Sequence, residues 1–94
     1  MEIQHSEEDG FGKFYVEENG EQLAELAYDM DDSGTMIIEH TQVSDKLKGK
    51  GVGKELVHAA VKYAREQHVK INPQCPFASK VIHETKEYQD VLDS

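Results

Sequence analysis

The stretch KLKGKGVGKEL, residues 46–56, sets glycines at 49, 51 and 53 among Lys46, Lys48, Lys50 and Lys54. Glycine lacks the Cβ that would hold an anion away from the backbone, and unpaired N–H groups at a helix start attract negative charge. A glycine-lysine turn that runs into a helix can therefore cradle a phosphate. The same spacing also suits a plain turn with solvated lysines, and the residues alone leave both readings open. Two familiar phosphate patterns do not fit. In G-x-x-x-x-G-K-[ST], Lys48 stands at the first glycine and Glu55 at the hydroxyl position; in G-x-G-x-x-G, counted from Gly51, the third glycine falls on Leu56.

Cys75 and His40 are the other candidates for chemistry. Proline favours the first position of a helix, so Pro76 marks Cys75 as the residue capping a helix start, where a thiolate is stabilised and can accept an acyl group. The alternative is a small buried residue beside a proline turn. An imidazole changes charge near neutral pH, so His40 can act as a general base, or it can be a sheet-face histidine satisfied by its neighbours. Strand alternation places Glu39 on the opposite face from His40. Tyr63 and Tyr88 are candidate general acids, although Tyr63 also falls on an apolar helical stripe. The five histidines and Cys75 show neither C-x-x-C nor H-x-x-x-H spacing, so no metal site is expected.

These residues need elements to hold them. After a short lead containing Ile3 and His5, residues 11–43 alternate strand-like pieces with turns. Asn19-Gly20 supplies the positive φ values of a two-residue hairpin, and Asp31-Asp32-Ser33-Gly34 forms a second turn before Met36-Ile37-Ile38. Three or four antiparallel strands in a meander follow. From Val52 to His68 the period becomes helical, with Val52, Leu56, Ala59, Ala60, Tyr63 and Ala64 in one stripe. HVKINP reads as a short strand ended by Pro73. Phe77, Ala78, Val81 and Ile82 then give helical spacing, and Tyr88, Val91 and Leu92 form a last apolar group.

The chain has 94 residues, 37% hydrophobic and 31% charged, which sets the expectation of one soluble domain spanning residues 1–94. No apolar run is long enough to cross a bilayer as a helix, and MEIQHSEED carries acids where a signal peptide carries bases. A single cysteine leaves no internal disulfide. A cytoplasmic location is expected. The net charge of −9 argues against nucleic-acid or membrane-surface partners. Its distribution is uneven: residues 1–45 hold thirteen acids and one base, residues 46–94 six acids and nine bases. The positive charge begins at the glycine-lysine stretch.

Lys48-Gly49-Lys50-Gly51-Val52-Gly53, between an apolar strand and an amphipathic helix, resembles the acyl-CoA motif Arg/Gln-x-x-Gly-x-Gly/Ala of the GNAT superfamily of N-acetyltransferases. Lys48 replaces the usual arginine or glutamine. His40-Thr41 on the strand before the loop, and Cys75-Pro76 at the start of the following helix, match recurrent features of the very small GNAT-type proteins. The resemblance implies an α+β fold of minimal GNAT type: an antiparallel β-meander, a central CoA-binding helix, a short parallel strand and a C-terminal helix. It lacks the two helices that follow the first strand of larger members, and their final hairpin.

By that resemblance, Lys48, Gly49, Lys50, Gly51, Val52, Gly53 and Lys54 hold the CoA pyrophosphate, and the backbone at Gln42 and Val43 pairs with the pantetheine arm as an added strand does. The thioester of acetyl-CoA then lies between the strand carrying His40 and the one ending at Asn72-Pro73, with Cys75 just beyond. The implied activity moves an acetyl group from acetyl-CoA to an amine, on a protein or a small molecule, with Cys75 and His40 as catalytic candidates. An open acceptor site and an acidic first half suit a cationic acceptor. A monomer or weak homodimer is expected. A non-catalytic CoA-binding module is the alternative, and a small structural protein whose GKGVG is only a turn is a third reading.

Overall fold

Two turns set the first three strands in register. Asp9-Gly10 and Asn19-Gly20 all have positive φ, from 53° to 85°, as two-residue hairpins require. The structure, a computed structural model, describes residues 2–93. The turns join β1 (Gln4–Glu8), β2 (Phe11–Glu18) and β3 (Glu21–Met30), and the Asp31–Gly34 turn leads to β4 (Thr35–Val43). In that turn Asp31 Oδ1 accepts from the N–H groups of Ser33 and Thr35 at 2.9 and 3.0 Å. These bonds hold the Asp31 carboxyl below the usual carboxylate range, the Ser33 side chain contributing most.

A 3-10 turn (Asp45–Leu47) and the glycine-lysine loop follow, then α1 (Val52–Gln67), β5 (Lys70–Pro73), α2 (Pro76–Glu84) and a closing 3-10 segment (Lys86–Val91). The strands lie in sequence order in one sheet, antiparallel except for the β4–β5 pair. The meander, central helix, parallel strand and C-terminal helix expected from the sequence are all present. The lead is itself a strand, closed by Asp9-Gly10.

One core lies between the sheet and the two helices. Leu26, Tyr28, Met36 and Ile38 meet Leu56, Ala60, Ile71 and Ile82, all essentially inaccessible to solvent. The α1 stripe differs from the one read from the sequence: Val57 and Val61 are buried, whereas Ala59 and Tyr63 are only partly so. The two pairs lie on opposite sides of the Val52-Leu56-Ala60-Ala64 line on a helical wheel, and the buried face of α1 is turned toward the valines. Gln67 ends α1, and His68, at φ 58°, caps it in the left-handed conformation. No described helix is long and apolar enough to cross a membrane.

The helices cover one sheet face. On the other, Lys13, Glu25, Ala27 and Gln42 alternate with the buried residues.

Candidate active site

A break in strand alternation positions His40. Along β4, Ile38 pairs with Tyr28 and His40 with Ala27, so Glu39 is an extra residue in a β-bulge. Simple alternation would put His40 beside Ile38 in the core. The bulge returns it to the outer face, where it shares a side with Glu25 and Ala27. Glu39 and His40 are both exposed, so the alternation expected for this pair does not hold. Thr41, the next residue, pairs with Leu26 and faces the helices.

The same region opens the sheet. β5 pairs with β4 only over Thr35–Ile38, and the N–H groups of Gln74 and Cys75 then both donate to the Ile38 carbonyl, at 2.9 and 3.1 Å. β5 ends at Pro73, opposite Ile38, and the remainder of β4 to Val43 is paired only with β3. This leaves a gap along that edge of β4, where an extended ligand can be accepted as an added strand.

Cys75 stands at the apex of the gap. It is the N-cap of α2 with Pro76 in the first turn, as its sequence context predicts. It is buried, and its Sγ donates to Thr41 Oγ1 at 3.5 Å. Burial pushes the thiol pKa up, but the amide of Ala78, the Thr41 hydroxyl and the amide of Phe77 favour the thiolate and outweigh it, leaving the thiol below its usual range. His40 makes no hydrogen bond to Cys75; the two flank β4 on opposite faces.

The glycine-lysine loop follows the unpaired end of β4. Ser44 N–H donates to the Leu23 carbonyl at 2.7 Å, and the buried Leu47 pins the 3-10 turn to the core. Gly49 and Gly51 then take φ of 81° and 71°, and an added Cβ on either would meet no protein atom within 4 Å. The left-handed backbone calls for glycine, and the open space leaves room for a ligand.

Gly51 caps α1 without a side chain, and the first i→i−4 bond runs from Glu55 N–H to the Gly51 carbonyl at 3.1 Å. Among the described residues, the N–H groups of Gly49, Gly51, Val52, Gly53 and Lys54 meet no backbone acceptor. These residues, with Val43 and Lys48, line a cavity of about 420 Å³. Free donors, lysines and the positive end of a 16-residue helix together fit a diphosphate. Asp45 is an acid in that wall.

Five residues around the loop have placements that the sequence did not show. Lys46 pairs with Glu21 at 2.9 Å instead of facing the cavity. Lys50 lies outside the wall, and Gln42 lines a separate groove of about 460 Å³ with Gln22, Glu25 and Val43. Gly53 has a packing role, because its Cβ would fall 2.8 Å from Phe77 Cζ. Phe77, read as a core residue of α2, is instead 41% exposed and forms part of the cavity wall.

The tyrosines lie elsewhere. Tyr63 donates to Glu7 Oε1 at 3.1 Å within a cluster of His5, Phe14 and Tyr28, and Tyr88 meets His58 Nδ1 at 2.9 Å.

A sequence profile of the GCN5-related N-acetyltransferase family matches residues 13–91. The chain belongs to that family. It is 32% identical over 73 residues to Protein NATD1 of Xenopus tropicalis, covering 77% of this chain and 67% of that one. The NMR solution structure of a GCN5-like protein from Staphylococcus aureus superposes with a TM-score of 0.72 at 40% identity, over 97% of this chain and 86% of the other. A Bacillus anthracis structure in complex with acetyl coenzyme A shares the fold, with a TM-score of 0.58 at 19% identity over 70% of this chain and 38% of that one. The family uses acetyl-CoA as acetyl donor, and this member is an acetyl-CoA-dependent acetyltransferase.

Proposed function

We propose that the protein binds acetyl-CoA with its diphosphate in the Gly49–Lys54 cradle and its pantetheine arm along β4, and passes the acetyl group to an amine. The observation that carries this reading is the run of N–H groups without a backbone acceptor in the wall of a cavity beside the edge of β4 that β5 leaves unpaired. Lys48 and Lys54 add charge from the wall. The backbone of Gln42 and Val43 offers the unpaired strand edge, and Cys75 and His40 flank the point where the arm ends. Residues 1–94 act as one catalytic domain.

Transfer requires the acceptor amine to add to the thioester carbonyl while the bond from carbon to CoA sulfur breaks and CoA leaves as the thiolate. The amine must also lose a proton. The carboxylate of Glu25 can only accept a hydrogen bond, so His40 Nε2 carries the hydrogen in their 2.6 Å contact, and the lone pair of a neutral His40 is on Nδ1. Nδ1 has no partner among the described residues and takes the proton.

A second route is favoured by the position of Cys75. Its thiolate, held by the amides at the α2 start and by Thr41, attacks the thioester, the acetyl–CoA bond breaks, and the acetyl-cysteine delivers the group to the amine. Incubation with acetyl-CoA followed by intact-mass analysis tests both routes. Acetyl-CoA binding with turnover on a panel of amines supports the function, and a trapped acetyl group on Cys75 selects the second route. Binding that persists without turnover would make the chain a CoA-binding module, and absence of binding would sink the proposal at its first step.

A further inference from the structure

The outer face of the sheet carries a polar array that the acetyl donor does not use. Glu25, on β3, is only 18% exposed at its side chain and sits between three partners. Oε2 contacts His40 Nε2 at 2.6 Å, Oε1 accepts from Gln22 Nε2 at 3.0 Å, and Lys13 Nζ lies 3.9 Å from Oε1. Lys13 in turn donates to Gln22 Oε1 at 2.7 Å, closing the array. Burial raises the Glu25 pKa, but the hydrogen bonds from His40 and Gln22 and the nearby Lys13 charge act against it, and the carboxyl sits below its usual range and is ionised at neutral pH.

We infer that Glu25 is a positioning residue for acetyl transfer, fixing the tautomer and orientation of His40 so that its free nitrogen addresses an acceptor arriving on the uncovered sheet face, opposite Cys75. Three observations carry it. The bulge at Glu39 delivers His40 to the face where Glu25 lies. The carboxylate is held from its other oxygen by Gln22 and Lys13, which leaves Oε2 for the imidazole. His40 is itself 49% exposed, so Nδ1 is open to a substrate on that face. As the amine gives up its proton, His40 becomes an imidazolium, and the adjacent carboxylate stabilises that charge. Glu25 touches neither donor nor acceptor; it acts through His40.

This inference rests on the general-base role proposed for His40, and a double-mutant cycle separates the two. Steady-state acetyl transfer is measured for the wild type, Glu25→Ala, His40→Ala and the double variant, with circular dichroism confirming that each folds. The expected result for Glu25→Ala is a fall in kcat of about tenfold or more, as for loss of a residue that orients a catalytic group, with KM for acetyl-CoA unchanged. In the His40→Ala background the same substitution should cost nothing further, because its route of action is gone. Glu25→Gln, which keeps an acceptor oxygen, should recover part of the loss. Imidazole 15N NMR of the resting protein should show His40 as the Nε2–H tautomer, and Glu25→Ala should abolish that preference.

A wild type that turns over while Glu25→Ala is fully active, or an effect that persists undiminished without His40, overturns the inference alone. A fully active His40→Ala overturns the base role and the inference with it.

Discussion

Replacing Gly51 with alanine separates the cost of a strained turn from the cost of a blocked cradle. Gly51 has φ 71°, and an added Cβ meets no protein atom within 4 Å, so the penalty to folding is the left-handed backbone alone. That is about 1–2 kcal/mol, or roughly 4–16 °C in Tm for a chain of this length. The methyl group would project into the space where the N–H groups of Gly51 and Val52 meet an oxyanion. Displacing one hydrogen bond to a charged group costs about 1.5–3 kcal/mol, which is about 12- to 160-fold in Kd.

Gly20 supplies the control. At φ 79°, with nothing within 4 Å of its Cβ, it carries the same backbone penalty at a turn that lines no part of the cavity. Calorimetric titration with CoA should give a similar Tm loss for Gly20→Ala and Gly51→Ala but weaker binding for Gly51→Ala alone. Equal Kd values for the two variants would refute the reasoning.

Three further outcomes are expected. A Cβ at Gly12 would land on Cζ and the hydroxyl of the buried Tyr28, which hydrogen bonds to Glu7 at 2.7 Å, so Gly12→Ala should cost about 1–3 kcal/mol by overpacking and lower Tm by at least roughly 4 °C in a thermal melt. Burial first, and then the Glu7 carboxylate, raise the Tyr28 pKa well above its usual value; its stabilising contribution is complete below about pH 10, where the unfolded tyrosine is still protonated, and is lost as pH rises through the folded value. Urea melts should therefore show stability falling above about pH 10, less steeply in Tyr28→Phe. Thr41→Val removes a hydroxyl that favours the Cys75 thiolate, and thiolate absorbance should appear at higher pH than in the wild type.

Local signals made much of this architecture legible from sequence. Asn19-Gly20 dictates a hairpin, the spacing of Val52, Leu56, Ala60 and Ala64 dictates a helix with a sheet beneath it, and Cys75-Pro76 dictates a helix start. The cradle is visible for the same reason, since three alternating glycines before a helix constrain the backbone directly.

What was hidden depends on partners distant in the chain. The bulge at Glu39 arises from pairing between β3 and β4 and leaves no trace in residues 36–41, so the face of His40 was not readable from alternation. Glu25, one acid among thirteen in the first half, gains its place only when β3 lies against β4. Phe77 has the helical spacing of a core residue, but the absence of a Cβ at Gly53 draws its ring toward the loop and leaves it partly exposed in the cavity wall. An aromatic residue directly after a capping Cys-Pro was the signal available.

The central claim is that backbone amides from Gly49 to Lys54 hold the CoA diphosphate. Titration of the 15N-labelled wild type with CoA, followed by amide NMR, addresses each of those N–H groups individually. Saturable shifts are expected at Gly49, Gly51, Val52, Gly53 and Lys54, with a second set along β4 at Gln42 and Val43. Shifts confined to the groove lined by Arg65, His68, Lys70 and Asp90 at the other end of α1, or no shifts at all, would contradict this binding mode.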